Sequence, residues 1–246
     1  MDTPIDLQVD DRVAVITLNR PEKRNALSEH TMRQLESATR LAAADQRVRA
    51  LVLTGNGPVF CAGGDLGDVR DLDDTLGLAR RHEVFLSAAT TLCEVHVPTI
   101  AAVNGPAVGA GFSLALLCDL VVVQEEAILQ TGFLDVGLPP DLFSAASLQA
   151  RVGSTRAADL LLNGARLDAA GAVRMHIANE TAKDALATAT DRARALANRS
   201  AHAVEQTVRL LRGVRPQTTV SMAVEPLAVA AAVGTSEFRD ATARFR

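Results

Sequence analysis

The sequence contains no tryptophan and no tyrosine, and seven phenylalanines bring its aromatic content to only 3%. Base-stacking platforms need such rings, and the chain is acidic overall at −4, so nucleic-acid binding is not indicated. Chemistry that depends on a catalytic tyrosine is excluded as well. Cysteine is scarce: Cys61, Cys93 and Cys118 lie far apart, form no CxxC pair and have no nearby histidine to complete a metal-ligand set. No metal site is expected, and a reduced, cytoplasmic setting is the simpler reading. The start, MDTPIDLQVDD, lacks the basic residues and apolar stretch of an export signal. Charge is missing altogether from Val97 to Cys118, a run long enough to cross a bilayer. Pro98, Asn104, Gly105, Pro106, Gly109 and Gly111 interrupt it, so it reads as a buried strand, a glycine loop and a buried helix, with no membrane span.

At 246 residues, 48% hydrophobic and 22% charged, the chain has the apolar content of one globular domain with a helical appendage. Charge is uneven along it. Residues 191–246 hold nine arginines against five acids, so the preceding 190 residues are strongly acidic. A basic tail could hold phosphate groups, but by itself it reads more simply as a solvated helix face or a subunit contact.

Ile5 to Val9, and then the alternation Val13, Val15, Thr17, read as two strands closed by a turn at Asn19, Arg20 and Pro21. Ser28 is placed to cap a helix whose inner face carries Met32, Leu35, Thr39 and Ala42. Arg49 to Thr54 is a short apolar strand ending in the turn residues Gly55 to Pro58. A long helical pattern through Val84, Phe85, Ala88, Ala89, Leu92 and Val95 stops at Pro98. The strand Thr99 to Val103, the glycine loop 105–111, a helix from Phe112 to Cys118 and the strand Leu120 to Val123 follow. Beyond residue 140 helices are expected to begin near Asp141, Ser154, Asp168, Thr181 and Ser200. The pattern predicts a mixed α/β core followed by a helical C-terminal part.

Three segments in this order, VAVITLNRPEKRNAL (13–27), LVLTGNGPVFCAGGDL (51–66) and VPTIAAVNGPAVGAGFSLALLCDLVVV (97–123), resemble the crotonase (enoyl-CoA hydratase/isomerase) superfamily. DVGLPPD (135–141) and RVGSTRAADLLLNGARLDAAGAV (151–173) extend the likeness over most of the chain. The resemblance implies an α/β spiral of repeated strand-strand-helix turns with a helical C-terminal region, assembled as trimers or dimers of trimers. On this basis residues 1–190 form the acyl-CoA-binding core and 191–246 a helical region used for oligomerisation. An acyl-CoA thioester is the implied partner; coenzyme A belongs to the substrate, so no separate cofactor is expected.

Carried over residue by residue, the backbone around Asn25, Ala26, Leu27 and Ala62 flanks the adenine, and Asp65, Leu66, Ser113 and Phe133 join the substrate-binding set. The N–H groups of Gly64 and Ala110 then converge on the thioester oxygen. Glycine allows the close backbone approach this needs, and Ala110 lies at the start of a helix, where N–H groups point outward and the dipole favours negative charge. Such a donor is worth about 3 to 4 kcal/mol to an enolate-like transition state.

Typical hydratases of the family use two glutamates; here the corresponding positions hold Ser113 and Phe133, neither of which replaces a carboxylate base. Asp141 is the remaining acidic candidate, at a position where dienoyl-CoA isomerases and aryl-CoA dehalogenases carry a functional aspartate. In an apolar pocket its pKa would rise and it could shuttle a proton; its bland alternative is an N-cap on a helix beginning at Leu142. One carboxylate suits double-bond isomerisation better than hydration. His82 reads more simply as a surface or core residue. GPAVGAG also fits short-chain dehydrogenase spacing, but the tyrosine those enzymes need is missing, and GFSLA lacks the second glycine of a nucleophile elbow. The rival from another class is a carrier that binds acyl-CoA without turning it over.

Overall fold

A computed structural model of the chain describes residues 3–70, 75–213 and 218–243. The strands are β1 (Ile5–Asp10), β2 (Val13–Leu18), β3 (Ala50–Gly55), β4 (Thr99–Val103), β5 (Ala107–Val108), β6 (Leu120–Gln124), β7 (Ile128–Gln130), β8 (Arg166–Asp168) and β9 (Glu180–Ala182). The helices are α1 (Glu29–Ala44), α2 (Leu66–Arg70), α3 (Thr75–Glu94), α4 (Ala110–Leu117), α5 (Ser144–Val152) and α6 (Ser154–Leu162), then α7 (Ala169–Arg174), α8 (Ala185–Ala197), α9 (Ala201–Gly213), α10 (Thr218–Val233) and α11 (Ser236–Thr242).

The main sheet runs β1-β2-β3-β4-β6-β9, antiparallel at β1–β2 and parallel elsewhere. A parallel sheet must be covered on both faces, which is why its central strands are continuously apolar. Alternation divides them. Ile16, Leu53, Ala101 and Val123 face α1 and α3, whereas Val13, Val52, Ala102 and Val122 face α8. On α8 the buried stripe is Ala185, Ala189 and Ala193, spaced by four, and the small side chains let the helix lie close to the sheet. A second sheet, β5-β7-β8, carries the glycine loop.

The uncharged run from residue 97 to 118 forms β4, β5 and the wholly buried α4, and no helix among the described residues is long and apolar enough to cross a membrane. Ser28 caps α1 by accepting the Thr31 N–H at 3.1 Å, as its sequence predicts. Two expectations are corrected. Thr181 begins no helix: it lies in β9, paired with Val123 at the sheet edge, and α8 starts at Ala185 after the Asp184 cap. The short strands β7 and β8 escaped the pattern because three residues are too few to show alternation. The helix expected near Asp141 starts at Ser144. Residue 190 lies within α8, whose alanine stripe packs on the main sheet.

The C-terminal helices return to the core. Ala230 and Val233 of α10 and Phe238 of α11 pack with Leu78 and Ala79 of α3, and Leu66, Leu138 and Val229 join them. This brings α10 across the region where the sequence motifs meet.

Candidate active site

Two loops meet through the smallness of their residues. Gly63, at φ +97°, approaches the 108–110 backbone so closely that a side-chain carbon there would lie 2.9 Å from the Val108 carbonyl oxygen and 3.7 Å from the Ala110 nitrogen. Gly111 abuts Cys61 still more tightly: an added Cβ would meet the Cys61 carbonyl oxygen at 2.3 Å. Gly111→Ala should therefore cost more than about 2 kcal/mol of stability, read as a drop in the urea midpoint, because backbone rather than a movable side chain blocks the methyl. An unchanged midpoint would contradict this packing.

Gly64 is paired with Leu27 across a parallel bridge that uses the Leu27 N–H to Gly63 and the Asp65 N–H to Leu27, at 2.8 and 2.9 Å. The N–H of Gly64 itself is left out of that ladder, and the residue is exposed. Ala110 opens α4, so its N–H lacks an intrahelical acceptor; Gly109 precedes it at φ 53°, ψ −122°. Among the described residues neither N–H has a hydrogen-bond acceptor. The two donors are thus carried on abutting loops.

Other motif residues hold the loops together. The Asn25 side chain, 1% exposed, accepts the Arg20 N–H and donates to Asn56 O and Val59 O, while the Asn25 main-chain carbonyl accepts from the Cys61 thiol. Leu27 is fully buried; Ala26 and Ala62 are half-buried beside it. Asp65 pairs with Arg20 at 3.1 Å and Leu66 packs with Leu138 and Val229. Burial pushes the Cys61 thiol up to about 12, which leaves it a neutral, unreactive part of the wall.

Ser113 is completely buried, and its hydroxyl lies 3.3 Å from Gly109 O and 3.1 Å from Asp141 O. It ties α4 to the turn that presents Asp141. Phe133 is also buried, with its ring 3.8 Å from where a Gly109 side chain would sit.

Asp141 does not cap a helix. The Ser144 N–H bonds to the Asp141 carbonyl oxygen rather than its carboxyl, and carboxyl Oδ1 is buried with no hydrogen-bond partner among the described residues. Leu142 and Phe143 follow at φ +48° and +60°, a left-handed pair that costs bulky L-residues on the order of 1 to 3 kcal/mol each. This strain turns Asp141 away from the helix it precedes. Desolvation, partly offset by the charge of His82 and reinforced by that of Glu225, raises its pKa to about 6, with Arg81 opposing the rise.

His82, 2% exposed, stacks near Phe85 and faces Glu225 at 3.8 Å. Arg81 lies with its guanidinium 4.4 Å from the Phe85 ring centre and 3.9 Å from Asp68. Arg81 and Glu225 did not emerge from the motifs. The signal for Glu225 was a lone acid in the apolar stretch TTVSMAVEPLAVAAAV, which local pattern cannot connect to a site.

Two cavities of about 620 and 640 Å³ lie beside α9 and share only Phe143 with these residues. They are lined by Arg209, Arg212 and Leu211 but by neither Gly64 nor Ala110.

The mixed α/β architecture and its two abutting, glycine-dependent loops define a protein of the crotonase fold. The sequence profile of the family described as enoyl-CoA hydratase/isomerase matches residues 8–241, and the chain belongs to that family. It is 38% identical over 192 residues to a Mycobacterium tuberculosis protein named probable enoyl-CoA hydratase EchA14, covering 76% of this chain and 73% of that one. It is 40% identical over 185 residues to one from Mycobacterium bovis named probable enoyl-CoA hydratase, covering 74% and 73%. A crystal structure of an enoyl-CoA hydratase/isomerase from Mycobacterium paratuberculosis superposes with a TM-score of 0.93 at 31% identity, over 99% of both chains.

Proposed function

We propose that the protein isomerises the double bond of an enoyl-CoA thioester. The thioester oxygen accepts the N–H groups of Gly64 and Ala110. The Asp141 carboxylate takes a proton from the α-carbon, the C–H electron pair moves into the conjugated system as a dienolate, and the same carboxyl returns the proton at the γ-carbon. No water is added and no other group is consumed.

The observation that carries this reading is the half-buried Asp141, whose carboxyl Oδ1 is buried without a hydrogen-bond partner among the described residues and whose pKa is raised to about 6. Near neutral pH such a group is ionised enough to act as base, and its conjugate acid is weak enough to hold the proton until it is returned. Hydration needs a second acid or base. At the two positions where the resemblance calls for glutamates, the Ser113 hydroxyl is engaged with backbone carbonyls and Phe133 offers an apolar ring.

Purified protein should convert a 3-enoyl-CoA to its conjugated 2-enoyl isomer, seen as growth of the ultraviolet band of the conjugated thioester, and leave crotonyl-CoA unhydrated. Rapid loss of the crotonyl-CoA band would establish a hydratase. Tight calorimetric binding with no change in any 3-enoyl, crotonyl or dienoyl thioester would instead establish a carrier.

A further inference from the structure

Among the described residues, buried polar side-chain atoms without hydrogen-bond partners are concentrated: His82 Nε2, Asp141 Oδ1, Ser144 Oγ and two nitrogens of Arg81 account for five of seven. Buried polar groups are normally satisfied, and isolated exceptions mark strain or function. Here α3, the turn before α5 and the start of α5 supply them, and α10 adds Glu225. Glu225 is 8% exposed, yet it is a carboxylate in an otherwise apolar helix, immediately before Pro226.

Its partners explain its place. The Phe143 N–H points between both Glu225 carboxyl oxygens at 3.3 and 3.4 Å, so the anion sits at the N-terminus of α5. Phe143 is the N-cap residue of α5 and no side chain of the local sequence caps it. The cap that Asp141 could have supplied is supplied by a helix about eighty residues away. The same carboxylate faces His82 Nε2 at 3.8 Å, an ion pair whenever the imidazole is protonated.

We propose that Glu225, delivered by the C-terminal helix, is a positioning residue of this site: it holds the Leu142–Phe143 turn and the His82 ring so that the Asp141 carboxyl stays free to react. This rests on reading Asp141 as the proton shuttle. The charged groups acting on Asp141 are His82 and Arg81 from α3 and Glu225 from α10. Of these Glu225 alone is an anion, and its charge favours the protonated shuttle. α10 is in this way a working wall of the site as well as a cover over α3.

The test uses the full chain and steady-state turnover of a 3-enoyl-CoA across pH, with thioester affinity measured by calorimetry. Glu225→Gln keeps the size and an acceptor for the Phe143 N–H but removes the charge. It should lower kcat at least about tenfold with KM within about threefold, and move the acidic limb of the profile to lower pH. Glu225→Ala should regain part of its rate on adding formate, which restores a carboxylate at the vacated position. A Glu225→Gln protein with wild-type kcat and an unmoved limb would overturn the inference while leaving the isomerase reading intact. So would one that fails to fold, since the role would then be structural. A wild type without turnover would remove the isomerase reading and this inference with it.

Discussion

Ala110→Pro is expected to leave the fold intact and reduce kcat/KM by about 10²- to 10³-fold or more. Proline at the first position of a helix removes only an N–H that has no intrahelical acceptor, and its fixed φ suits that position. The residue before proline must avoid helical ψ, and Gly109 at φ 53°, ψ −122° already occupies the mirror image of the polyproline region, which glycine alone reaches readily. The substitution therefore deletes one donor facing the proposed thioester oxygen and puts ring atoms in its place. Losing such a donor costs about 3 to 4 kcal/mol at the transition state. Urea denaturation should give a midpoint close to the wild type's, while single-turnover kinetics should show the loss in the chemical step and calorimetry weaker thioester binding. A folded Ala110→Pro protein with normal turnover would remove this N–H from the mechanism.

The second expected result is a separation of activity from stability at Asp141. Asp141→Asn should lower kcat by about 10²- to 10⁴-fold, the range a general base contributes, with thioester affinity nearly unchanged. It should also make the protein more stable at pH 8. The folded-state pKa of about 6 lies above the ordinary value of 3.8, so folding favours the protonated carboxyl. That contribution is fully present below about pH 3.8 and is lost as pH rises through about 6, beyond which the buried anion opposes folding. The shift corresponds to about 3 kcal/mol at most; the neutral amide avoids it, so a gain of about 1 to 3 kcal/mol is expected at pH 8, shrinking toward pH 4. Urea titrations at several pH values read this directly. A variant less stable than wild type at pH 8, or one of undiminished activity, would show that Asp141 serves the fold and not the reaction. The wild-type rate should itself rise with pH through about 6, as the carboxylate base forms.

These expectations depend unequally on what could be read from residue order. The strands β2, β3, β4 and β6, the Ser28 cap and the start of α4 were legible because each is set by neighbours within a few residues. Apolar alternation, a side-chain oxygen three residues before an N–H, and glycines in a tight turn all act locally. Family membership was legible in the same way, through four ordered segments of local pattern. β9 was mistaken for a helix start because Thr181 stands within three residues of the true Asp184 cap, and only pairing with β6 makes that segment a strand.

The choice between the two readings of Asp141 could not be made from the chain alone. DVGLPPD followed by an alanine-rich helix looks like a capped helix start, and the sequence contains nothing nearby to argue otherwise. The left-handed pair at Leu142 and Phe143 and the arrival of Glu225 at the Phe143 N–H exclude the capping reading. His82, read from the sequence as a surface or core residue, is buried and faces Glu225, which helical spacing cannot show.

The sequence by itself determined the family, the sheet's central strands and the two glycine-dependent loops, because steric demands on individual backbones are written where they act. Only the tertiary structure decided that Gly63 abuts Ala110, that Asp141 Oδ1 is buried without a partner among the described residues, and that α10 brings a carboxylate between His82 and the α5 N-terminus. Those relations join residues tens to more than a hundred positions apart, and packing of the helices around the sheet, not local propensity, fixes the distances on which the proposed proton transfer depends.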